Sequence, residues 1–368
     1  MKSILFTSTA LVAFAGAAAA EQHTAFDFTG EATLGYNDAS DVSPVAGDGF
    51  YWDATVATTM SAELNGGLTA AATFEVEVVD GNIGQDLLST AYVLSLSSDV
   101  ASLSVGDLDP VAEDRWDGVD GATVADFNDQ DTHFLVAGFE AMLVGEASLY
   151  GFDAAISYGL DSGAGNAITG EMIDAMQVHV AGTFGDFGMQ LAYQEEFGPT
   201  PEIFGVSGSA SFAGADIQVS YIDDGTESST GIGVAYPVGP VVIGGYYSMN
   251  DVAEDNYGVS LDYINGPIAV SAAYDIDGSE VAGVDDLAEY SIDASYDVGN
   301  GLQVLAGAFG SDAAGDDVGF YVASVYDLGG GAEILFSYAD DGEDAVLGAD
   351  LGDPEYKEGI TVEASFAF

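Results

Sequence analysis

Apolar and polar residues alternate along most of this chain, in short segments that are separated by turns. From Trp52 to Leu64 the even-numbered positions are mostly apolar, whereas the odd-numbered positions are Asp, Thr, Ala, Ser and Glu. The same two-residue period recurs at 68–78, 290–298 and 360–368. Successive side chains of a strand point to opposite faces, so the pattern predicts β-strands with one apolar and one polar face.

Short turns rich in Gly, Pro and Asn join these segments into predicted hairpins, because these residues supply the backbone angles that a tight reversal needs. Nine short turns lie at residues 65–67, 97–99, 151–153, 185–186, 213–215, 237–240, 265–267, 299–301 and 329–331, and all except the Ser-Ser-Asp turn at 97–99 contain Gly, Pro or Asn. Longer acidic loops separate the hairpins. Nine hairpins and two terminal strands predict twenty strands.

Aromatic residues recur at two positions relative to the turns. One row directly precedes seven turns and comprises Tyr150, Phe184, Phe212, Tyr236, Tyr263, Tyr296 and Tyr326. The second row follows five to eight residues after these turns and comprises Tyr158, Tyr193, Tyr221, Tyr246, Tyr247, Tyr274, Phe309, Phe336 and Tyr338. Two such rows are typical of the aromatic belts of a membrane β-barrel. A soluble β-sandwich produces the same alternation, so the period alone does not decide between these folds.

The N-terminus has the features of a secretory signal peptide. Lys2 precedes an apolar stretch at 4–17, and three alanines precede Glu21. We therefore expect residues 1–20 to be cleaved and residues 21–368 to form one domain, because no linker interrupts the turn spacing. The mature part contains no stretch of about 20 apolar residues, the length of a transmembrane helix. If it crosses a membrane, it must do so as a closed barrel, which leaves no backbone unpaired in lipid.

The charge of the chain is strongly negative. The formal net charge is −59, and the 62 acidic residues all follow the predicted cleavage site, where Arg115 and Lys357 are the only Lys or Arg residues. This excludes nucleic acid as a partner, because phosphate binding needs clustered cations. The absence of cysteine excludes a disulfide framework. Hydrophobic residues make up 48% of the chain and argue against disorder.

The acids are segregated to loops and to the polar strand faces. A water-filled lumen lined by carboxylates concentrates cations and repels anions. Adaptation to a saline habitat, with solvated acids that have no specific task, explains the same composition and stays open. The predicted lumen wall comprises Asp53, Glu63, Glu75, Glu77, Glu289, Asp293 and Glu363.

Three motifs resemble the general-diffusion porins of Gram-negative outer membranes. The last strand, residues 359–368, ends in phenylalanine with apolar residues at alternate positions, the hairpin at 322–332 looks like a periplasmic turn of this family, and residues 102–107 lead out of the fifth strand into the longest loop. The resemblance implies an all-β fold, a single antiparallel transmembrane β-barrel in the outer membrane, assembled as a homotrimer. It also implies an assembly signal at Phe366 and Phe368. The family usually has sixteen strands, so sixteen to twenty remain open.

The resemblance further implies that the loop from about Asp107 to Phe139 folds into the barrel and forms the pore constriction. Its charged residues are Asp107, Asp109, Glu113, Asp114, Arg115, Asp117, Asp120, Asp126, Asp129 and Asp131. Constrictions of this family usually place wall arginines opposite an acidic loop, which this chain cannot do. We therefore expect passive diffusion of ions and small hydrophilic solutes with a preference for cations, a function that needs no cofactor.

Motifs of catalysis are missing from the sequence: there is no Gly-x-Ser-x-Gly, no His-Glu-x-x-His, no phosphate loop and no thiol. We therefore do not expect an enzyme. Acidic fragments at 275–278 and 117–121 are incomplete calcium loops, so weak binding of Ca²⁺ or Mg²⁺ at acidic loops is a further expectation. The alternative function is that of a secreted acidic β-sheet adhesin or calcium-binding surface protein.

Overall fold

A computed structural model describes residues 24–38, 49–79, 88–119, 134, 139, 141–160, 173–198, 200–251, 255–278, 287–312, 318–340 and 356–368. The predicted signal peptide lies outside these residues. The described chain forms twenty strands and one short helix. The strands are β1 (Thr24–Asn37), β2 (Gly49–Leu64), β3 (Leu68–Val79), β4 (Leu88–Ser97), β5 (Ala101–Gly106), β6 (Ala141–Leu149), β7 (Phe152–Leu160), β8 (Ile173–Phe184), β9 (Phe187–Gln194), β10 (Ile203–Phe212), β11 (Ala215–Asp223), β12 (Ser228–Val238), β13 (Val241–Asn250), β14 (Asn256–Asn265), β15 (Ile268–Asp277), β16 (Leu287–Gly299), β17 (Leu302–Ser311), β18 (Gly319–Gly329), β19 (Ala332–Asp340) and β20 (Gly359–Ala367), and the helix is α1 (Val111–Arg115).

Each strand pairs with the next in antiparallel orientation, and the sheet closes on itself. The closing pair is β1 with β20, with Tyr36 opposite Val362. Backbone hydrogen bonds between Gly30 and Phe368 extend this pairing to the last residue. The single antiparallel barrel is thus confirmed. A closed barrel leaves no sheet edge unpaired, which the hydrocarbon core of a membrane requires.

The nine predicted turns connect the strands in pairs, from β2 and β3 to β18 and β19. In the turn between β10 and β11, Ala213 and Gly214 have φ angles of 54° and 88°. Two successive positive φ values match the twist of a two-residue hairpin. The count of twenty strands follows from these turns and is confirmed, whereas the sixteen strands usual in the family do not apply to this chain.

The two faces of the sheet differ in the way that the alternation predicts. Large apolar side chains lie exposed on one face of every strand pair, as Phe28, Val259 and Phe336 illustrate with exposed fractions of 52%, 60% and 52%. Only one sheet is present among the described residues, and its apolar face is not covered by a second one. The soluble sandwich, in which this face would form the core, is therefore wrong.

The other face points into the barrel, because side chains of strands that are not neighbours meet on it. Tyr51 on β2 contacts Glu363 on β20 across β1, and Tyr321 on β18 contacts Asp293 on β16 across β17, each with a 2.5 Å hydrogen bond. Side chains two strands apart converge on the concave side of a curved sheet and diverge on its convex side. The apolar face is therefore the outer one.

Two of the aromatic residues assigned to the belts are on the inner face. Tyr246 is buried and lies beside Gly258, and Phe309 packs against the inner cluster around Leu305 and Tyr321. Both residues follow the two-residue period of their strands, because the residues directly before and after each of them face outward. Distance from a turn therefore did not determine the face, and the belt assignment of these two residues is wrong.

No helix in the described part of the chain is long and apolar enough to span a membrane.

Candidate functional site

The segment that follows β5, residues 107–119, lies against the inner wall of the barrel and is called the inward segment below. It contains α1, which contacts β7, β8 and β9. The wall residues that it touches include Ser157, Gln177 and Gly205. These positions alternate with outward apolar residues such as Val206, so the segment occupies the lumen side.

The inward segment has one buried side and one exposed side. Val111, Ala112, Trp116 and Val119 are buried against the wall. The exposed residues are the predicted constriction acids Asp107, Asp109, Glu113, Asp114 and Asp117. The other predicted constriction acids, Asp120, Asp126, Asp129 and Asp131, lie outside the described residues. Residues that pack against the wall thus alternate, at short intervals along the segment, with carboxylates that are exposed on the opposite side.

Apolar packing holds the inward segment at two glycine positions of the wall. The indole of Trp116 lies over Gly205 on β10, where a β-carbon would come within 2.8 Å of the ring. Trp116 also packs edge-on against Phe134, at 5.6 Å between ring centroids, in a cluster completed by residues of β9, β10 and β11. Val119 occupies the equivalent space over Gly231 on β12. Glycine at these wall positions lets the segment approach the sheet closely.

Uncharged polar side chains of the wall bind the backbone of the inward segment. Ser157 and Gln177 accept hydrogen bonds from the first amides of α1. Ser220 accepts one from the Val119 amide at 3.0 Å, and Gln218 donates to the carbonyls of Asp117 and Gly118, both at 2.9 Å. Buried backbone groups need such partners.

Neither the alternation nor the motifs of the sequence predicted a function for these wall residues. A signal was present, since four of the eight glutamines of the chain lie between residues 177 and 218, on strands β8, β9 and β11. These four are Gln177, Gln190, Gln194 and Gln218. Long amides on a lumen face that is otherwise rich in carboxylates and serine indicate hydrogen bonding to a covering segment.

The positively charged side chain of the inward segment, Arg115, forms ion pairs with carboxylates. Arg115 forms an ion pair with Glu146 on β6 and a second, longer contact with Asp114 at 3.4 Å. Ser102 on β5 donates a 2.6 Å hydrogen bond to the other oxygen of Glu146. Glu146 was not among the predicted wall residues. The positive charge of Arg115 is therefore offset locally by two acids.

The predicted wall carboxylates share the inner face. Asp53 and Glu63 are exposed there, Glu75, Glu77, Glu289 and Glu363 are half-buried, and Asp293 is buried. Glu363 accepts the hydrogen bond from Tyr51, and the Lys357 ammonium lies 4.7 Å from the centroid of the Tyr51 ring. Both mature cations therefore lie next to inner-face carboxylates.

Phe366 and Phe368 lie exposed on the outer face of the last strand pair, and the ring of Phe368 covers Gly30 on β1. Elsewhere in the described residues, no group of three or more His, Asp or Glu side chains is arranged to hold a metal ion.

A family model described as Gram-negative porin matches residues 7–257. The chain belongs to the Gram-negative porin family. The family and the closed barrel place this porin in the outer membrane as a channel, in a family of non-enzymatic channels.

Solved structures that are similar to this porin cover almost its whole length at low sequence identity. One is a multiple mutant of the porin of Rh. blastica, with 16% identity, a TM-score of 0.44, and coverage of 94% of this chain and 100% of that chain. Another is OmpT of Vibrio cholerae with loop L8 deleted, with 15% identity, a TM-score of 0.42, and coverage of 94% and 99%. No curated protein matches this chain significantly.

Proposed function

We propose that this porin conducts ions and small hydrophilic solutes by passive diffusion and prefers cations. The observation that supports the preference is the exposure of five acids, Asp107, Asp109, Glu113, Asp114 and Asp117, on the side of the inward segment that faces away from the wall. Fixed carboxylates beside an aqueous path attract cations and exclude anions.

The positions of the two positively charged side chains support the same preference. Arg115 is paired with Glu146 and Asp114, and Lys357 lies over Tyr51 beside Glu363. Neither cation stands on the wall as part of a row opposite the acidic segment. An opposed positive field, which would admit anions and orient polar solutes, is therefore missing from the described wall.

The test is a reversal potential measured on the purified protein in a planar bilayer with a salt gradient. A cation-preferring channel gives a reversal potential close to the equilibrium potential of the cation. A potential of the opposite sign contradicts the preference, and an absence of conductance steps contradicts the channel. Since surface charges are screened within about 10 Å at 0.1 M salt, the preference should weaken as salt rises.

Three further proposals concern assembly. The family supports a homotrimer, which crosslinking in detergent would detect as a band of three protomers.

We also propose that residues 1–20 are removed on export, which N-terminal sequencing of the mature protein tests by the presence of Glu21 at the start. Phe366 and Phe368 are proposed as the assembly signal, so that their replacement by alanine leaves unfolded protein outside the membrane.

Weak binding of Ca²⁺ or Mg²⁺ at acidic loops also remains a proposal. Crowded carboxylates support it, and isothermal titration with either ion tests it. Heat of binding that does not depend on the ion's identity would indicate dispersed counterions instead. The alternative adhesin is not favoured by any contact of the described residues.

A further inference from the structure

The first amides of α1 are capped by the barrel wall. The first N–H groups of a helix have no partner within it, and Pro110, which precedes α1, provides no side-chain cap. The Val111 amide donates to Ser157 at 3.1 Å, and the amides of Ala112 and Glu113 donate to the same oxygen of Gln177, at 2.8 and 3.1 Å. Two wall side chains thus bind three successive amides of the inward segment.

The capping residues belong to one row across the sheet. Ser157 on β7 is opposite Gln177 on β8, and Gln177 is opposite Gln194 on β9. The Gln177 side-chain nitrogen donates to the Gln194 side-chain oxygen at 2.8 Å, and the Gln194 nitrogen donates to the Pro201 carbonyl at 3.2 Å. We call Gln177 and Gln194 the amide relay.

The amide relay has a fixed direction. Each amide donates toward Pro201 and accepts from the side of α1, so the Pro201 carbonyl determines that the oxygen of Gln177 faces the helix. Gln177 and Gln194 are 0% and 1% exposed. If either amide rotated by half a turn, two donors or two acceptors would face each other without solvent, which buried polar groups rarely tolerate.

The amide relay contains no charged group, whereas the contact at the C-terminal end of α1 is an ion pair. Arg115 pairs with Glu146 at the opposite end of the helix, and their side chains are 32% and 39% exposed. Ion pairs at that exposure are weakened by dissolved salt, but hydrogen bonds between buried neutral amides are not. The two ends of α1 therefore differ in their expected response to ionic strength.

We propose that Gln177 and Gln194 are positioning residues that fix the inward segment, and with it the width of the pore beside its acids, independently of salt. The proposal rests on the proposed function in one respect, namely that the inward segment borders the conducting path. Arg115 is the single Lys or Arg residue of the inward segment, so the polar contacts that add to its ion pair and to the apolar packing come from neutral side chains.

The decisive variants are Gln177→Leu, which removes both halves of the relay, and Gln194→Leu, which leaves the α1 bonds but removes their orientation. Gln177→Glu keeps an acceptor for α1 but places a buried carboxylate against the Gln194 side-chain oxygen, so it should not restore the positioning. Gln303→Leu is the matched control, because Gln303 is an exposed inner-face glutamine of β17 with no contact to the inward segment in the described structure.

Two measurements separate this proposal from the channel function. Single-channel recording at low and high salt should show one main level in the wild type and in Gln303→Leu at both. The Leu variants at 177 and 194 should spend about tenfold more time at other levels, equally at both salt concentrations, as loss of buried hydrogen bonds implies. Amide hydrogen exchange at Ala112 and Glu113 should accelerate by a similar factor in Gln177→Leu.

The proposal is overturned if both Leu variants keep the wild-type level occupancies and exchange rates, or if the fraction of time that the wild type spends away from its main level changes with salt. Folding is checked by the gel shift on heating, and if Gln177→Leu does not fold, Gln194→Leu decides. Amide hydrogen exchange can be measured whether or not the protein conducts ions. If the wild type does not conduct, the proposed function is contradicted. If amide exchange is nevertheless faster in the variants, the positioning role still holds.

Discussion

The Tyr51 hydroxyl donates a 2.5 Å hydrogen bond to the Glu363 carboxylate across the first strand of the barrel. Gly35 on β1 makes this contact possible, since a β-carbon at that position would overlap the Tyr51 ring. The bond joins β2 to β20 over the pair that closes the barrel. Asn37 adds a second side-chain link at the seam by donating to Thr361 at 2.9 Å.

Removal of the Tyr51 hydroxyl should destabilise the closed barrel. Tyr51→Phe leaves the ring in place but removes a hydrogen bond to a charged group, which typically contributes about 1.5–3 kcal/mol. We expect the heat-induced gel shift to occur at a lower temperature. Tyr326→Phe is the matched control, because Tyr326 lies on the outer face and its hydroxyl has no partner among the described residues. Equal shifts for the two variants would contradict a specific role of the seam bond.

Neutralisation of acids on the inward segment should reduce cation preference. The double variant Glu113→Gln with Asp117→Asn removes two exposed charges from the proposed constriction without changing their size. The reversal potential in a salt gradient should move toward zero, and more strongly at low salt, where charges act over longer distances. The control neutralises Asp99 in the turn between β4 and β5 and Glu196 in the connection after β9. An equal effect of the control would assign selectivity to total charge instead of the segment.

Replacement of Arg115 by glutamine should increase cation preference. The change removes the positive charge from the inward segment and leaves Glu146 with its hydrogen bond from Ser102. Because the ion pair is partly exposed, the stability should fall by no more than about 1 kcal/mol. The reversal potential and the heat-shift temperature measure the two effects separately. A large loss of stability with unchanged selectivity would mean that Arg115 serves mainly to hold the segment.

Trp116 should report the position of the inward segment by fluorescence. The chain has two tryptophans, and Trp52→Phe leaves only Trp116, which is 6% exposed. Its emission should be blue-shifted and poorly quenched by acrylamide. Gly205→Leu, which places a side chain where the indole lies, should increase quenching and reduce conductance by displacing the segment into the pore. Quenching that stays low in this variant would show that the wall accommodates the added side chain.

The sequence alone determined the fold to a large extent, because a two-residue period and the chemistry of tight turns act locally. Alternation around Trp52–Leu64 assigned the faces of β2, and nine short turns, eight of which contain glycine, proline or asparagine, predicted twenty strands where the family resemblance implied sixteen. The carboxylates of the inner face, such as Glu75 and Glu363, followed from the same alternation. These features need no knowledge of which strands are neighbours in space.

Only the tertiary structure decided which residues meet across the lumen. Gln177 binds amides 64 and 65 residues away in sequence, Gln218 binds carbonyls 100 and 101 residues away, and Tyr51 binds Glu363 over 312 residues. These contacts depend on the register of many strand pairs and on closure of the barrel. Local sequence patterns do not encode such distances, which is why the wall glutamines and the partner of Arg115 became visible only in the folded chain.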